Sequence, residues 1–442
     1  MTGRALLRQS GKGQRIDGLR RHVGRWRTCH ALSPQQVSCI NCQSDLQFMQ
    51  TTSGDLVNPR ILLNKLTITA GYYPVVLLDG PRQSGKTTLT RAAFPDKAYV
   101  TLEPLDTRDF ARTDPRGFLS QYRTGAIIDE VQHAPDLLSY LQDEVDRDPT
   151  PGRFILTGSQ NLAISHAVSQ SLAGRAGILH LLPFSRAELA GFSNAPKDMF
   201  ELLWTGCYPR IYDRSIPAQQ WLADYVATYV QRDVRQILNV GDLARFTTFL
   251  RLCAAHTAQE LSLSALGADA GISHNTANAW LSVLESSFLC CRLPAWHRNI
   301  KKQIVKAPKL HFFDTGLVCY LLGIKEPAQL RHHPLRGALF ETWVFSELYK
   351  MKIHQGEVPQ LFHFRESRGI EVDFIEPQAD RLLLMEAKSG ETLGSDYFQG
   401  MHALEKLLVD RGASEKIEKR LVYGGTEALV RSGVQVVPWN GL

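Results

Sequence analysis

Residues 74–88 read PVVLLDGPRQSGKTT, and the reading of this stretch decides the fold. Val75, Val76, Leu77 and Leu78 form a short apolar run of the kind that lies buried in a parallel strand. The run passes directly into Gly80-Pro81-Arg82-Gln83-Ser84-Gly85-Lys86-Thr87, a complete G-x-x-x-x-G-K-T, and a helix is predicted over 85–93. In such a loop Gly80 and Gly85 let the backbone turn tightly and aim N–H groups at phosphate. Lys86 reaches the β- and γ-phosphates, and Thr87 offers its hydroxyl to Mg²⁺. Pro81, Arg82, Gln83, Ser84 and Thr88 complete the predicted lining. The string arises by chance in unrelated chains, but rarely between a buried strand and a helix.

A phosphate loop needs an acid on a neighbouring strand to orient its metal. Residues 125–130, GAIIDE, supply one. Ala126 to Ile128 are apolar, Asp129 ends the strand and can hold the Mg²⁺ shell, and Glu130 is placed to polarise the attacking water. A further strand at 153–157 runs into Gly158-Ser159-Gln160, where a sensor of the terminal phosphate belongs; Ser159 is expected, with Gln160 and Thr157 as alternates. Arg175 follows the helical stretch that ends Leu172-Ala173-Gly174. It is expected either to reach the γ-phosphate of a neighbouring subunit or to lie in a helix-end salt bridge. The predicted order is strand 98–103, helices 104–112 and 115–122, a strand, helix 135–147 and a strand. That is a doubly wound α/β layer, with its ligand at the C-terminal edge of the strands.

Outward from this core, 442 residues suggest about three domains. A 44% hydrophobic and 21% charged composition excludes disordered, collagenous and disulfide-scaffold classes. No apolar run approaches the roughly 20 residues needed to span a bilayer, and no apolar run follows the N-terminal arginines, so a cytoplasmic location without membrane attachment is expected. Of the +6 net charge, most falls in 1–55, where eight basic residues face Asp17, Asp45 and Asp55. That segment reads as a basic arm or as sequence ahead of a later start at Met49. Cys39 and Cys42, with Cys29 and His30 upstream, make a zinc set conceivable; reduced, unliganded thiols are the simpler reading, because no second pair follows.

GPRQSGKTT, GAIIDEVQ, RFILTGSQ, SLAGR and the later Gly206-Cys207-Tyr208-Pro209 together resemble bacterial and archaeal AAA+ ATPases of the AAA_14 type, whose core is followed by domain-of-unknown-function 4143. The resemblance spans roughly 60–430. The usual glycine-glycine-aromatic-proline turn departs slightly here, with Cys207 at its second position. The resemblance implies ATP and Mg²⁺ as cofactors and ATP hydrolysis as the activity.

From 221 to 289 the chain reads helical. Arg232 and Asp233 form either a buried pair or a second nucleotide sensor. Residues 261–268, the break at Gly271-Ile272-Ser273 and a capped helix over 276–288 follow helix-turn-helix grammar, with Ala277, Trp280, Leu281 and Leu284 at helical spacing. Residues 286–313 contain no acid but hold Arg292, Arg298, Lys301, Lys302, Lys306 and Lys309, with Trp296 and His297 interleaved. A basic β-wing of this kind can bind a phosphate backbone; His274, Asn275 and Asn278 equip the helix poorly for reading bases. Plain interdomain packing is the other reading.

The last region carries three acids and a lysine. A helix over 337–350 embeds Glu341 in apolar company. Strands at 361–366 and 370–376 read as a hairpin, and alternation points Glu371 and Asp373 one way and Val372 and Phe374 the other. On the strand 382–388, Glu386 and Lys388 share a face. Asp373, Glu386 and Lys388 form D-x₁₂-E-A-K, and with Glu341 the set resembles the PD-(D/E)xK nuclease-like fold. In that chemistry Asp373 and Glu386 hold Mg²⁺, Glu341 is a further metal contact, and Lys388 orients the water. Gln399, on the next helix, approaches this site in the same reading.

The expected organisation is an extension over 1–55, an AAA+ core with a parallel sheet over 56–210, a helical, winged-helix-like module over 211–310 and a nuclease-like α/β domain over 311–442. The leading functional expectation is Mg²⁺-dependent ATP hydrolysis coupled to a C-terminal arm that contacts DNA or other nucleic acid, in a homo-oligomer. The alternative is a nucleotide-switched signalling or scaffold ATPase that binds a partner protein through an inactive nuclease-like domain. A kinase is disfavoured, since Asp129-Glu130 suits water activation.

Overall fold

The structure is a computed structural model that describes residues 49–50, 56–57, 60–159, 171–230, 243–297, 306–366 and 369–442. Cys29, His30, Cys39, Cys42, Gln160, Arg232, Asp233, Arg298, Lys301 and Lys302 lie outside the described residues.

Strand β1 (Val75–Gly80) is buried along its whole length. Val75 and Leu77 face one apolar cluster and Val76 and Leu78 another, so both faces of the strand need a covering layer. Helices α1 (Leu62–Ala70) and α2 (Lys86–Ala93) cover one side through Leu62, Leu66 and Leu89. Helices α3 (Leu105–Thr113), α4 (Pro115–Ser120) and α5 (Leu137–Arg147) cover the other through Ala111, Phe118, Leu137 and Leu141. With β2 (Ala98–Thr101), β3 (Ala126–Asp129), β4 (Phe154–Ser159) and β5 (Ala176–His180), the sheet is wholly parallel in the order β2-β3-β4-β1-β5.

Two features depart from the expected layer. The edge strand β5 was not predicted: it is short, contains Gly177 and leaves Ile178 half exposed. The acid-bearing β3 is not the neighbour of β1, because β4 lies between them and sets Ser159 in register with Gly80.

The chain continues through α6 (Arg186–Leu189), α7 (Met199–Thr205), α8 (Pro209–Asp213), α9 (Ala218–Tyr225) and α10 (Leu243–Ala255). The helix-turn-helix pair follows as α11 (Leu263–Asp269) and α12 (His274–Ser286), the second capped by Ser273 and seated on Ala277, Trp280, Leu281 and Leu284. Beside it, β6 (Gln259–Glu260), β7 (Cys290–Leu293) and β8 (Lys309–Phe312) form an antiparallel sheet with β8 in the centre.

Helices α13 (Thr315–Leu321) and α14 (Arg336–His354) lead into the last sheet. Its strands are β9 (Phe362–Arg365), β10 (Glu371–Pro377), β11 (Arg381–Lys388), β12 (Lys416–Tyr423), β13 (Leu429–Arg431) and β14 (Val434–Pro438), in the order β9-β10-β11-β12-β14-β13. The pairs β11–β12 and β12–β14 are parallel and the rest antiparallel, giving a mixed, nuclease-like α/β domain. Helix α14 packs on the face of Leu383, Met385 and Ala387; α15 (Gln399–Asp410) packs on the face of Leu382, Leu384 and Leu421. One apolar core runs from Leu182 to Trp439 and joins the helical module to this domain. No helix among the described residues is long and apolar enough to cross a membrane.

Candidate functional site

The phosphate loop is shaped by three backbone positions. Gly80 has φ +145°, and a Cβ there would lie 2.2 Å from the Leu181 carbonyl oxygen, so only glycine fits. Gln83 (φ 64°) and Gly85 (φ 95°) are left-handed and curl the loop into the start of α2. Lys86 is buried, with Nζ donating to the Gly80 and Pro81 carbonyls at 3.0 and 2.8 Å. Burial lowers its pKa, while Glu130, Asp79 and Asp129 oppose that shift. The Ser84 hydroxyl is buried without a hydrogen-bond partner among the described residues, Thr87 is half-buried and Thr88 is exposed.

Thr87 lies against the acid on β3: its Oγ1 is 3.0 Å from Asp129 Oδ2. The Tyr99 hydroxyl donates to the same oxygen at 2.8 Å, and the Thr157 hydroxyl donates to Oδ1. Asp129 is thus held by three hydroxyls, and Thr157 is engaged with it. Gln132 bridges Glu130 and Ser159, donating to Glu130 Oε2 and, at 3.0 Å, to Ser159 Oγ. Glu130, Glu103 and His133 also bring one ligand atom each within 4.8 Å of one another. An unpartnered hydroxyl in the loop and a hydroxyl–carboxylate pair at its end suit a triphosphate with Mg²⁺, which takes oxygen ligands.

Sequence reasoning passed over Arg60. Its Nη1 donates to the Ser84 carbonyl (2.8 Å), Nη2 to the Leu182 carbonyl (2.7 Å) and Nε to Glu188 Oε1 (2.9 Å), all buried. Glu188 closes a capping box with Ser185 at the start of α6. Burial opposes its charge, but Arg60 and then His354 win, leaving its pKa at about 2. His354, at the end of α14, lies 3.7 Å from Glu188 Oε2. On the same helix, Glu347 accepts the Arg186 N–H (2.8 Å) and Lys350 donates to the Phe184 carbonyl (2.9 Å). A chain of polar contacts therefore runs from the phosphate loop to α14. At the junction motif, Asp314 accepts the Cys207 N–H (2.6 Å) and caps α13 through Leu317 (2.9 Å).

Arg175 donates from Nε and Nη2 to Asp146 on α5, at 2.5 and 2.9 Å. It is an in-chain salt bridge near the surface. Of the expected basic wing, the three described cations are each engaged within the chain. Arg292 forks onto Glu285, with Nε–Oε1 at 2.9 Å and Nη2–Oε2 at 2.5 Å. Lys306 leans on Phe364 and donates to the Arg365 carbonyl, and Lys309 is buried. His274, Asn275 and Asn278 are exposed.

In the last domain Asp373, Glu386, Lys388 and Glu341 converge. The register shifts where β9 meets β10, so Val372 and Ile375 share the α15 cluster while Phe374 joins the α14 cluster, and the common face expected for Val372 and Phe374 is not kept. Lys388 Nζ is 2.6 Å from Glu386 Oε2 and 3.5 Å from Asp373 Oδ2. The start of α15 presses on this group, since a Cβ on Gly400 would lie 2.8 Å from Glu386 Oε1. Lys309 enters from β8, with Nζ at 2.8 Å from Glu341, 3.0 Å from Glu371 and 3.7 Å from Asp373. Burial and the Asp373 charge push Glu341 up to about 8 and Glu386 well above the carboxylate range. For Asp373, burial is outweighed by Lys388 and Lys309, which hold it low.

A parallel sheet with this loop, its lysine and an opposed acid defines a P-loop nucleoside triphosphatase. Profiles of three families match: an AAA domain (AAA_14) over 72–190, a domain of unknown function (DUF8612) over 196–328 and another (DUF4143) over 336–442. Uncharacterized proteins of Mycobacterium bovis (Mb2031c) and Mycobacterium tuberculosis (Rv2008c) are each 32% identical over 309 residues, covering 68% of this chain and 67% of theirs. The chain belongs to the AAA_14 ATPase family with a C-terminal DUF4143 domain, and it is an ATP hydrolase of that class. Among solved structures, the Walker-type ATPase PABY2304 of Pyrococcus abyssi is 16% identical, covering 63% of this chain and 99% of its own, with a TM-score of 0.42. AMPPCP-bound DnaA of Aquifex aeolicus is 15% identical over 53% of this chain and 91% of its own, with a TM-score of 0.28.

Proposed function

We propose that this chain binds ATP with Mg²⁺ at the 80–88 loop and couples hydrolysis to movement of a C-terminal arm that contacts nucleic acid in the cytoplasm. In this reading the ATPase core spans 56–210, the winged-helix-like module 211–310 and the arm 311–442. The observation that carries it is the 3.0 Å approach of Thr87 Oγ1 to Asp129. Lys86, the loop N–H groups and the Ser84 hydroxyl would hold phosphate oxygens, and Thr87 and Asp129 would hold the metal. Bound Mg²⁺ supplies charge neutralisation across the phosphates. Glu130, once its carboxylate leaves Gln132, takes the proton of the attacking water, and Ser159 contacts the terminal phosphate. Arg175, exchanging Asp146 for the phosphate of a neighbouring copy, completes the site in a homo-oligomer. The Arg60–Glu188–His354 contacts support coupling to the arm.

The pairing of Arg292 and the burial of Lys309 favour a second reading, a nucleotide-switched scaffold that grips a partner protein. ATP turnover measured alone and with duplex DNA, single-stranded DNA and RNA separates the two. Severalfold stimulation by one nucleic acid is expected; turnover indifferent to all three, with a stable protein complex, selects the scaffold.

A further inference from the structure

Lys309 is held more firmly than a surface lysine. It opens β8, the centre of its sheet, with its backbone paired to Glu260 on one side and Leu293 on the other. Two residues on, His311 stacks on Phe345 of α14 at 4.5 Å and its Nδ1 lies 3.2 Å from the Thr342 hydroxyl. The strand is thereby fastened to the helix that carries Glu341. The Lys309 side chain is 3% exposed, and its ammonium lies among Glu341, Glu371 and Asp373.

Asp373 Oδ1 faces Lys309 at 3.7 Å, while Oδ2 accepts the Ala387 N–H at 2.9 Å and faces Lys388 at 3.5 Å. Glu386 Oε2 accepts from Lys388 at 2.6 Å. A nuclease metal needs about six oxygen ligands at roughly 2.1 Å, and it would have to share Asp373, Glu341 and Glu386 with two ammonium groups that already pair with them. Like charges sharing ligands in a buried, weakly screened pocket repel strongly. The residues present therefore do not fit a divalent ion alongside Lys309.

We infer that the nuclease-like pocket is closed by the chain's own cation: the Lys309 ammonium, delivered by the wing strand beside Glu341, Glu371 and Asp373, supplies the positive charge a divalent metal would bring, so the pocket joins two modules and cleaves no phosphodiester bond. This is independent of the ATP chemistry at the phosphate loop. It explains how four carboxylates share one buried pocket, and why a lysine of the basic strip points inward.

The test is Mn²⁺ binding to the full, nucleotide-free chain, followed by electron paramagnetic resonance. Wild type and Asp373→Asn should bind Mn²⁺ alike. Lys309→Met should gain one further site per chain, roughly tenfold or more tighter than any residual binding there in wild type, and Lys309→Met/Asp373→Asn should lose it. A wild-type site abolished by Asp373→Asn or by the isosteric Glu386→Gln would overturn the inference, as would a folded Lys309→Met that gains nothing. If Lys309→Met does not fold, wild type against Asp373→Asn decides the matter. Asp373-dependent cleavage of labelled DNA by wild type with Mn²⁺ would also overturn it.

Discussion

The chain gathers lysines and carboxylates twice, and the two clusters handle charge in opposite ways. At the phosphate loop, Lys86 bonds carbonyl oxygens and Asp129 bonds hydroxyls, so lysine and acid are not hydrogen-bonded to each other. In the C-terminal cluster the ammonium groups of Lys309 and Lys388 contact the acids directly. Hydroxyls orient a carboxylate without supplying a countercharge, whereas an ammonium supplies one. Residue types near one another do not define a cation site; the atom to which each acid is bonded does.

The largest expected effect falls on the first cluster. Lys86→Ala should abolish measurable ATP binding, and Glu130→Gln should retain binding while turnover falls by roughly 100-fold or more. Wild-type turnover in Glu130→Gln would remove Glu130 as the base and with it the chemical contrast between the clusters. Next comes the connection between the two regions. Arg60→Ala leaves Glu188 buried beside a histidine that burial keeps neutral at pH 7 and frees the Ser84 carbonyl, so about 3–5 kcal/mol of stability should be lost in urea titration. ATP affinity should fall with it. A loss below about 1 kcal/mol would mean the loop and α14 are not fastened through this residue.

The smallest effect is a pH dependence at the same joint. Burial drives His354 down to about 4, with Glu188 opposing and Arg60 and Lys350 assisting. An unfolded histidine titrates near 6.5, so between about 6.5 and 4 the unfolded chain binds the extra proton and native stability falls as pH falls. From pH 7 to 5 this histidine should account for about 2 kcal/mol of loss. The measurement is the difference between wild type and His354→Asn, in which that loss is absent. Identical pH profiles would show that His354 is protonated in the native state as readily as in the unfolded one.

The phosphate loop was legible because strand, turn and helix are contiguous and every position has a local physical reason. Strand β5 was not: Ala176–His180 has too little apolar content to announce itself, and it exists because β1 has a free edge to pair. Arg60 and Glu188 stand 128 residues apart, and neither carries a local signal of the other. Gln132 lay inside the quoted string, but its bridge to Ser159 depends on β4 lying next to β3. Lys309 was read as a wing cation because sequence records charge without direction; only the pairing of β8 turns it inward. Glu371 and Asp373 both approach Lys309, as acids read on one face would, while the bulge that separates Val372 from Phe374 depends on β9.

Arg60 precedes α1 and lies outside the stretch 72–190 that matches the AAA family profile. A fragment cut to that boundary would keep the whole loop, both acids and Glu188, yet shed the guanidinium that ties them. Such a fragment would carry a stranded anion in its interior and a slackened loop carbonyl. An excised core of this chain should therefore begin upstream of residue 60, and a start at Met49 keeps the fastening intact.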